Sequence, residues 1–196
     1  MKFVLASQNK GKLAEMTRIL GALGVEVVLQ SDLGLCVDVE ETGTTFSENA
    51  ALKATAVMEA SGLPAIADDS GLCVDALNGG PGVYSARYGG CGSDAERCTL
   101  LLNNMRGATT RAAHFHSSVV CVFPNGDKVE AEGECHGTIA FAPMGEGGFG
   151  YDPIFFVPDL GKTFSQITSE EKNAISHRGK ALKSFETKLK EYLEKE

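Results

Sequence analysis

No Cys-x-x-Cys pair occurs in this chain, although it carries six cysteines (Cys36, Cys73, Cys91, Cys98, Cys121 and Cys135). Their spacing matches no structural zinc site, and they sit mostly among apolar neighbours, which fits free buried thiols in a reducing compartment. No apolar run approaches the length of a membrane span. The N-terminus passes from Met1-Lys2 straight into strand-like Phe3-Val4-Leu5-Ala6, too short for a signal-peptide core, so a cytoplasmic location is expected. Basic residues are outnumbered, 18 Lys and Arg against 26 Asp and Glu, for a net charge of -8. That balance excludes a broad nucleic-acid or anionic-membrane binder but leaves room for a local basic pocket that takes a polyphosphate. Internal repeats, low-complexity tracts and linkers are absent as well. What remains is 196 residues, 43% hydrophobic and 22% charged, enough for one domain or two lobes sharing a core.

The apolar pattern alternates strands with helices through the first half. Phe3–Ala6 predicts a buried strand, and a polar turn, Ser7-Gln8-Asn9-Lys10-Gly11-Lys12, opens a helix whose stripe is Leu13, Met16, Ile19, Leu20 and Leu23, stopped at Gly24. Val25–Leu29 predicts a second strand. Thr45-Phe46-Ser47-Glu48 has capping-box form and starts a helix to about Ser61, before Gly62. Leu63–Ala67 reads as a short strand ending in Asp68-Asp69-Ser70-Gly71, a tight turn for which Gly71 supplies the reversal. Ser93 with Glu96 marks a helix start carrying Leu100, Leu101 and Met105. Phe115–Phe123 and Lys128–Thr138 flank Pro124-Asn125-Gly126-Asp127, a hairpin. Gly145–Gly150 precedes a strand at Ile154–Val157, Thr168 with Glu171 starts a helix, and Gly179 divides it from a last helix bearing Leu182, Phe185, Leu189 and Leu193. A mixed sheet flanked by helices accounts for this order.

Five stretches hold residues suited to chemistry, the first four with a plainer reading beside each. Asp68 and Asp69 group carboxylate oxygens as Mg²⁺ prefers them, or they cap an Asx turn. Ser7 to Lys12 is an anion site made of free N–H groups and two lysines, or a solvated helix start; it is not a Walker A loop. Glu40-Glu41-Thr42-Gly43 with Lys53 is an acidic surface loop and an ordinary lysine, unless Glu41 reaches Asp69. Gly147-Gly148-Phe149-Gly150-Tyr151-Asp152-Pro153 lets an aromatic ring and bare backbone approach a flat ligand, or folds Phe149 into the core. In Lys172-Asn173-Ala174-Ile175-Ser176-His177-Arg178, Lys172 and Ser176 share one helical face with His177 and Arg178 at its end, three cationic groups fit for a phosphate or an oxo group. His114 and His116, by contrast, alternate along a strand with no carboxylate nearby in sequence. They are expected to be sheet-surface histidines rather than metal ligands.

Taken together and in order, these stretches resemble the inosine triphosphate pyrophosphatase family, the XTP/dITP diphosphatases. The matching blocks are Ser7 to Lys12, Glu41 to Ala50 with Lys53, Ala67 to Ala76, Pro81 to Tyr88, Gly147 to Phe155, and Ser169 to Leu182, spanning nearly the whole chain. Ser7 stands where the family often has threonine. The resemblance implies a mixed α/β fold, with a long curved central sheet flanked by helices and two lobes with a cleft between them, making one domain over residues 1–196, usually as a homodimer. It also implies Mg²⁺-dependent hydrolysis of dITP, ITP and XTP to the monophosphate and pyrophosphate, which cleanses the nucleotide pool. Carried onto this chain, Asp69 is the general base and a metal ligand and Glu41 the second metal carboxylate. Ser7, Gln8, Asn9, Lys10, Gly11, Lys12 and Lys53 hold the triphosphate, and Ser70 touches the nucleotide. Phe149 stacks on the purine, Gly150, Tyr151 and Asp152 shape the base and sugar pocket, and Lys172, His177 and Arg178 read the oxo edge. Two other readings compete: a Mg²⁺-dependent phosphatase using Asp68 or Asp69 as a covalent nucleophile, which would release phosphate first, and a non-catalytic nucleotide sensor.

Overall fold

The computed structural model describes residues 1–195. Its strands form one seven-stranded mixed sheet flanked by five α-helices; counted along the chain, the strands lie in the order two, one, three, four, five, six, seven. The chain divides into two compact units, each with its own apolar core: residues 1–69, 117–133 and 180 onward, and residues 70–116 with 134–179.

In the first unit, β1 (Lys2–Leu5) pairs in parallel with β2 (Glu26–Leu29) and with β3 (Ala65–Val74). The helix between β1 and β2, α1 (Lys10–Leu20), begins where the Asn9 side chain accepts from the Gly11 and Lys12 N–H groups, a cap worth about 1 kcal/mol. Its apolar stripe buries Met16 and Leu20 fully, and Gly24, at φ 69°, stops the following turn as its lack of a Cβ allows. Helix α2 (Phe46–Ser61) carries the capping box complete: Thr45 accepts from Glu48 N–H and Glu48 reaches back to Thr45 N–H. The core here joins Phe3, Leu5, Met16, Leu20 and Ile66 to Ala181, Leu182, Phe185 and Leu189 of the last helix, α5 (His177–Leu193).

The second unit is built on α3 (Asp94–Asn104), capped by Ser93, and on the far halves of β4 (Ala112–Val122) and β5 (Lys128–Ile139). Its core is aromatic. Phe115 stacks on Phe164 with ring planes 2° apart, and Phe155 lies 4.7 Å from Phe115 and 4.8 Å from Phe164, centroid to centroid. β6 (Phe155–Val157) pairs antiparallel with β5, β7 (Lys162–Thr163) pairs antiparallel with β6 to close the sheet, and α4 (Ser169–Ile175) follows.

Two expectations about these elements are corrected. Asp68-Asp69-Ser70-Gly71 is not a turn: β3 runs unbroken through it for ten residues. Period-2 alternation therefore points the two carboxylates to opposite faces of the strand, which a shared turn would not do. The division between the last two helices falls at Ser176, not Gly179. Ser176 is extended (φ -65°, ψ 153°), and its Oγ accepts from Gly179 N–H, capping α5. Lys172 and Ser176 thus do not share a continuous helical face. Gly179 is needed for another reason: a Cβ there would stand 2.2 Å from the Asn173 carbonyl oxygen, so only glycine lets the two helices meet this closely.

Candidate active site

Three elements of the first unit converge on one ammonium. Lys53, about two turns into α2, places Nζ 2.8 Å from Glu41 Oε1, 3.0 Å from the Asp68 carbonyl and 3.4 Å from Asp69 Oδ1. Glu41 therefore does reach Asp69's neighbourhood, which spacing alone could not reveal, whereas Glu40 is exposed. On the other side of β3, the Asp68 carboxylate is buried and pairs with Lys12 Nζ at 2.8 Å. Burial pushes the Asp69 carboxyl up and the Glu41 charge adds to this; together they outweigh Lys53 and Asn49, so it lies above the usual carboxylate range. Burial alone would lower Lys53, but Asp69, Glu41 and Asp68 reverse the sign and hold its ammonium above the usual lysine range.

Asn49 belongs to this cluster and was not among the site residues drawn from the sequence. It is fully buried, donates from Nδ2 to Asp69 Oδ2 at 3.4 Å and accepts the Gly43 N–H at 2.8 Å. It thus ties the acidic loop to the β3 carboxylate. A Cβ on Gly43 would stand 2.7 Å from Asn49 Oδ1, so the Thr42-Gly43 step is shaped by this close neighbour, a constraint that only the folded chain reveals.

Of the first turn's residues, Lys12 is in the cluster and the others serve the helix start. Ser7 Oγ accepts from Asn9 N–H, Asn9 caps α1, and Gln8, Lys10 and Gly11 are exposed beside it. The free N–H groups expected of an anion site are in part occupied by Asn9 Oδ1. Ser70 is half-buried, the next residue along β3.

In the second unit, Phe149 is 73% exposed rather than folded into the core. Lys172 Nζ lies 4.4 Å from its ring centroid and 2.5 Å from Asp152 Oδ2. Asp152 is almost wholly buried and also accepts the Phe149 N–H at 3.0 Å, so its carboxylate holds the glycine loop in shape. A Cβ at Gly148 would collide with that carboxylate at 2.2 Å. Gly150 N–H donates to Asp94 Oδ2 at 2.6 Å; Asp94, in turn paired with Arg97, is a second positioning residue absent from the sequence-derived set. Tyr151 is a core residue whose hydroxyl donates to the Ser85 carbonyl at 2.8 Å. His177 stacks on Phe115 (4.8 Å, 14°) and, like Arg178, is half-buried at the start of α5.

The reading of His114 and His116 as lacking a carboxylate is overturned. Glu134, on the neighbouring strand, lies 3.1 Å from His116 Nδ1, and its ligand atom falls within 4.8 Å of those of both histidines.

A family model described as the Ham1 family matches residues 3–188. The chain is 51% identical over 187 residues to the dITP/XTP pyrophosphatase of Thermus thermophilus, covering 94% of this chain and 90% of that one. It is 51% identical over 193 residues to the dITP/XTP pyrophosphatase of Haemophilus influenzae, covering 96% and 98%. Among solved structures, a HAM1 protein from Coxiella burnetii superposes with a TM-score of 0.93 at 44% identity (97% and 99% covered), and the Staphylococcus aureus Ham1 protein with 0.91 at 43% identity (100% and 99%).

Proposed function

The chain belongs to the Ham1 family, and from that premise we propose that it is a nucleoside-triphosphate pyrophosphohydrolase. It cleaves dITP, ITP and XTP to the monophosphate and pyrophosphate with Mg²⁺, as a cytoplasmic homodimer that clears non-canonical purines from the nucleotide pool. The activity follows relatives named dITP/XTP pyrophosphatase at about half identity. The dimer, the location and the metal come from the family resemblance; among the described residues no helix is long and apolar enough to cross a membrane.

The observation that carries the chemistry is the convergence of Glu41, Asp69 and Lys53. Three carboxylates (Glu41, Asp68, Asp69) face two ammoniums (Lys12, Lys53), leaving one negative charge over. All the surplus donors are oxygens, which suits a hard cation, and Glu41 with Asp69 would hold Mg²⁺. Such an ion supplies charge neutralisation at the phosphates and a more acidic bound water.

Lys12 and Lys53 would each turn from a carboxylate to a phosphate oxygen when a triphosphate arrives, and Mg²⁺ would offset the carboxylate charge so uncovered. Asp69, beside Lys53 and Asn49 and sharing the cation site with Glu41, is the carboxylate that would take the proton of the attacking water. Asn49 keeps that carboxylate aimed. For the base, Phe149 carries Lys172 against one side of its ring and offers the rest to a purine. Arg178 has only donors, so a 6-oxo group satisfies it and the 6-amino group of adenine opposes it.

The test is a product assay: purified protein and Mg²⁺, a panel of nucleoside triphosphates, and separate detection of pyrophosphate and phosphate. Pyrophosphate from dITP, ITP and XTP, with ATP turned over far more slowly, is expected. Phosphate as the first product would instead favour the covalent phosphatase reading.

A further inference from the structure

On the second unit's part of the β4–β5 hairpin, two histidines from one strand meet a glutamate and a histidine from the other. His116 Nδ1 and Glu134 Oε1 are 3.1 Å apart, Glu134 Oε2 and His136 Nε2 are 3.0 Å apart, and the His114 and His136 rings face each other at 5.3 Å. Residues two apart on a strand share a face, so all four side chains stand on one side of the sheet as a square. Nothing in the proposed hydrolysis uses them.

We propose that His114, His116, Glu134 and His136 form a second metal site, for a divalent transition ion such as Zn²⁺ rather than for Mg²⁺. The donor set decides the class of ion: imidazole nitrogens suit Zn²⁺, Ni²⁺ and Cu²⁺, whereas Mg²⁺ seeks oxygens. In tetrahedral coordination two ligands on one zinc stand about 3.4 Å apart, for a Zn–N bond of about 2.1 Å. The ligand atoms of His114, His116 and Glu134 all fall within 4.8 Å of one another, so an inward shift of up to about 1.4 Å, within the reach of surface rotamers, closes the set. His136, its side chain 73% exposed, is the fourth donor at the open edge. An ion here would add a metal clamp to the backbone ladder and the His116–Glu134 contact that already join β4 to β5.

The experiment is a Zn²⁺ titration of the whole, metal-stripped protein against a chromophoric chelator, in excess Mg²⁺. One Zn²⁺ per chain is expected, with nitrogen and oxygen but no sulfur ligands by X-ray absorption. His114→Asn/His116→Asn and, separately, Glu134→Gln should weaken it at least about tenfold, since even the loss of a hydrogen bond supporting a ligand costs 10–100-fold. Glu41→Gln should leave it unchanged. The Glu134 side chain is 42% exposed, so Glu134→Gln keeps the fold and its melting temperature without metal should match wild type. No saturable binding, sulfur ligation through an exposed thiol such as Cys36, or binding undiminished in these variants would overturn the site.

Discussion

Lysine–aspartate pairs occur in both units, but their charge balance differs. In the second unit Asp152 meets Lys172 and Asp94 meets Arg97, one for one; Asp152 Oδ2 accepts the Phe149 N–H as well as the Lys172 ammonium, and Asp94 spends its second oxygen on the Gly150 N–H. Those pairs are balanced in charge and serve to fix Phe149 and Gly150. In the first unit three carboxylates share two ammoniums, and Asp69 is left with a carboxyl that burial and Glu41 hold up. A balanced pair builds shape; an unbalanced one keeps affinity in reserve for a cation and a phosphate chain. Rate should therefore depend on the first cluster and base selectivity on the second.

The largest effect expected is Asp69→Asn, which removes base and metal ligand while keeping size: turnover of dITP should fall about 10²-fold or more, typical of losing a general base alone. Near-normal turnover in that folded variant would break the comparison. Lys53→Ala and Lys12→Ala each remove a charge-assisted hydrogen bond, roughly 1.5–3 kcal/mol. They should lower kcat/KM for every triphosphate by one to two decades while leaving nucleoside binding alone. Lys53→Ala should also lower the melting temperature, because Glu41 and Asp69 lose the ammonium between them. If either variant spared dITP hydrolysis, that lysine would not face phosphate.

The second unit should respond in how the base is held and chosen rather than in the chemical step. Arg178→Ala should reduce ITP and XTP hydrolysis by one to two decades, for a lost bond of the same roughly 1.5–3 kcal/mol, and spare residual ATP hydrolysis. Phe149→Ala should lower all purines together by about 1–3 kcal/mol of stacking. An unchanged ITP-to-ATP ratio in Arg178→Ala would move base reading to another residue.

The smallest effect concerns stability and has a definite sign. A carboxyl raised above its unfolded value favours the fold at low pH, and that favour is lost as pH rises through the native value. In EDTA, Asp69→Asn should thus melt slightly above wild type at neutral pH, the gap closing as the pH falls toward the unfolded aspartate value near ~3.9. Equal or lower melting temperatures at neutral pH would mean that Lys53 fully compensates Asp69.

The sequence made the local devices legible: the Thr45–Glu48 and Thr168–Glu171 capping boxes, the Gly24 and Gly62 stops and the hairpin at Pro124–Asp127 all stand where read. Each is specified by residues within a few positions. What escaped depends on neighbours distant in the chain. Asp68 and Asp69 break the apolar run, so the strand seemed to end there; Lys12 and Lys53, 56 and 15 residues away, supply the partners that let β3 continue. Ser176 took the break from Gly179 because the glycine is demanded by close packing rather than by φ. Glu134 lies 18 residues from His116 and meets it only once the hairpin closes. The site residues fared similarly: the blocks were visible, while the roles of Asn49 and Asp94 emerge only from their hydrogen bonds.

The division of labour is tested most directly by the free Mg²⁺ concentration that gives half-maximal dITP turnover, measured in wild type, Glu41→Gln and Arg178→Ala. The surplus-carboxylate account predicts a rise of at least about tenfold in Glu41→Gln, as for loss of a group that holds a metal, and no change in Arg178→Ala. A Glu41→Gln enzyme that needs no more Mg²⁺ than wild type would contradict it.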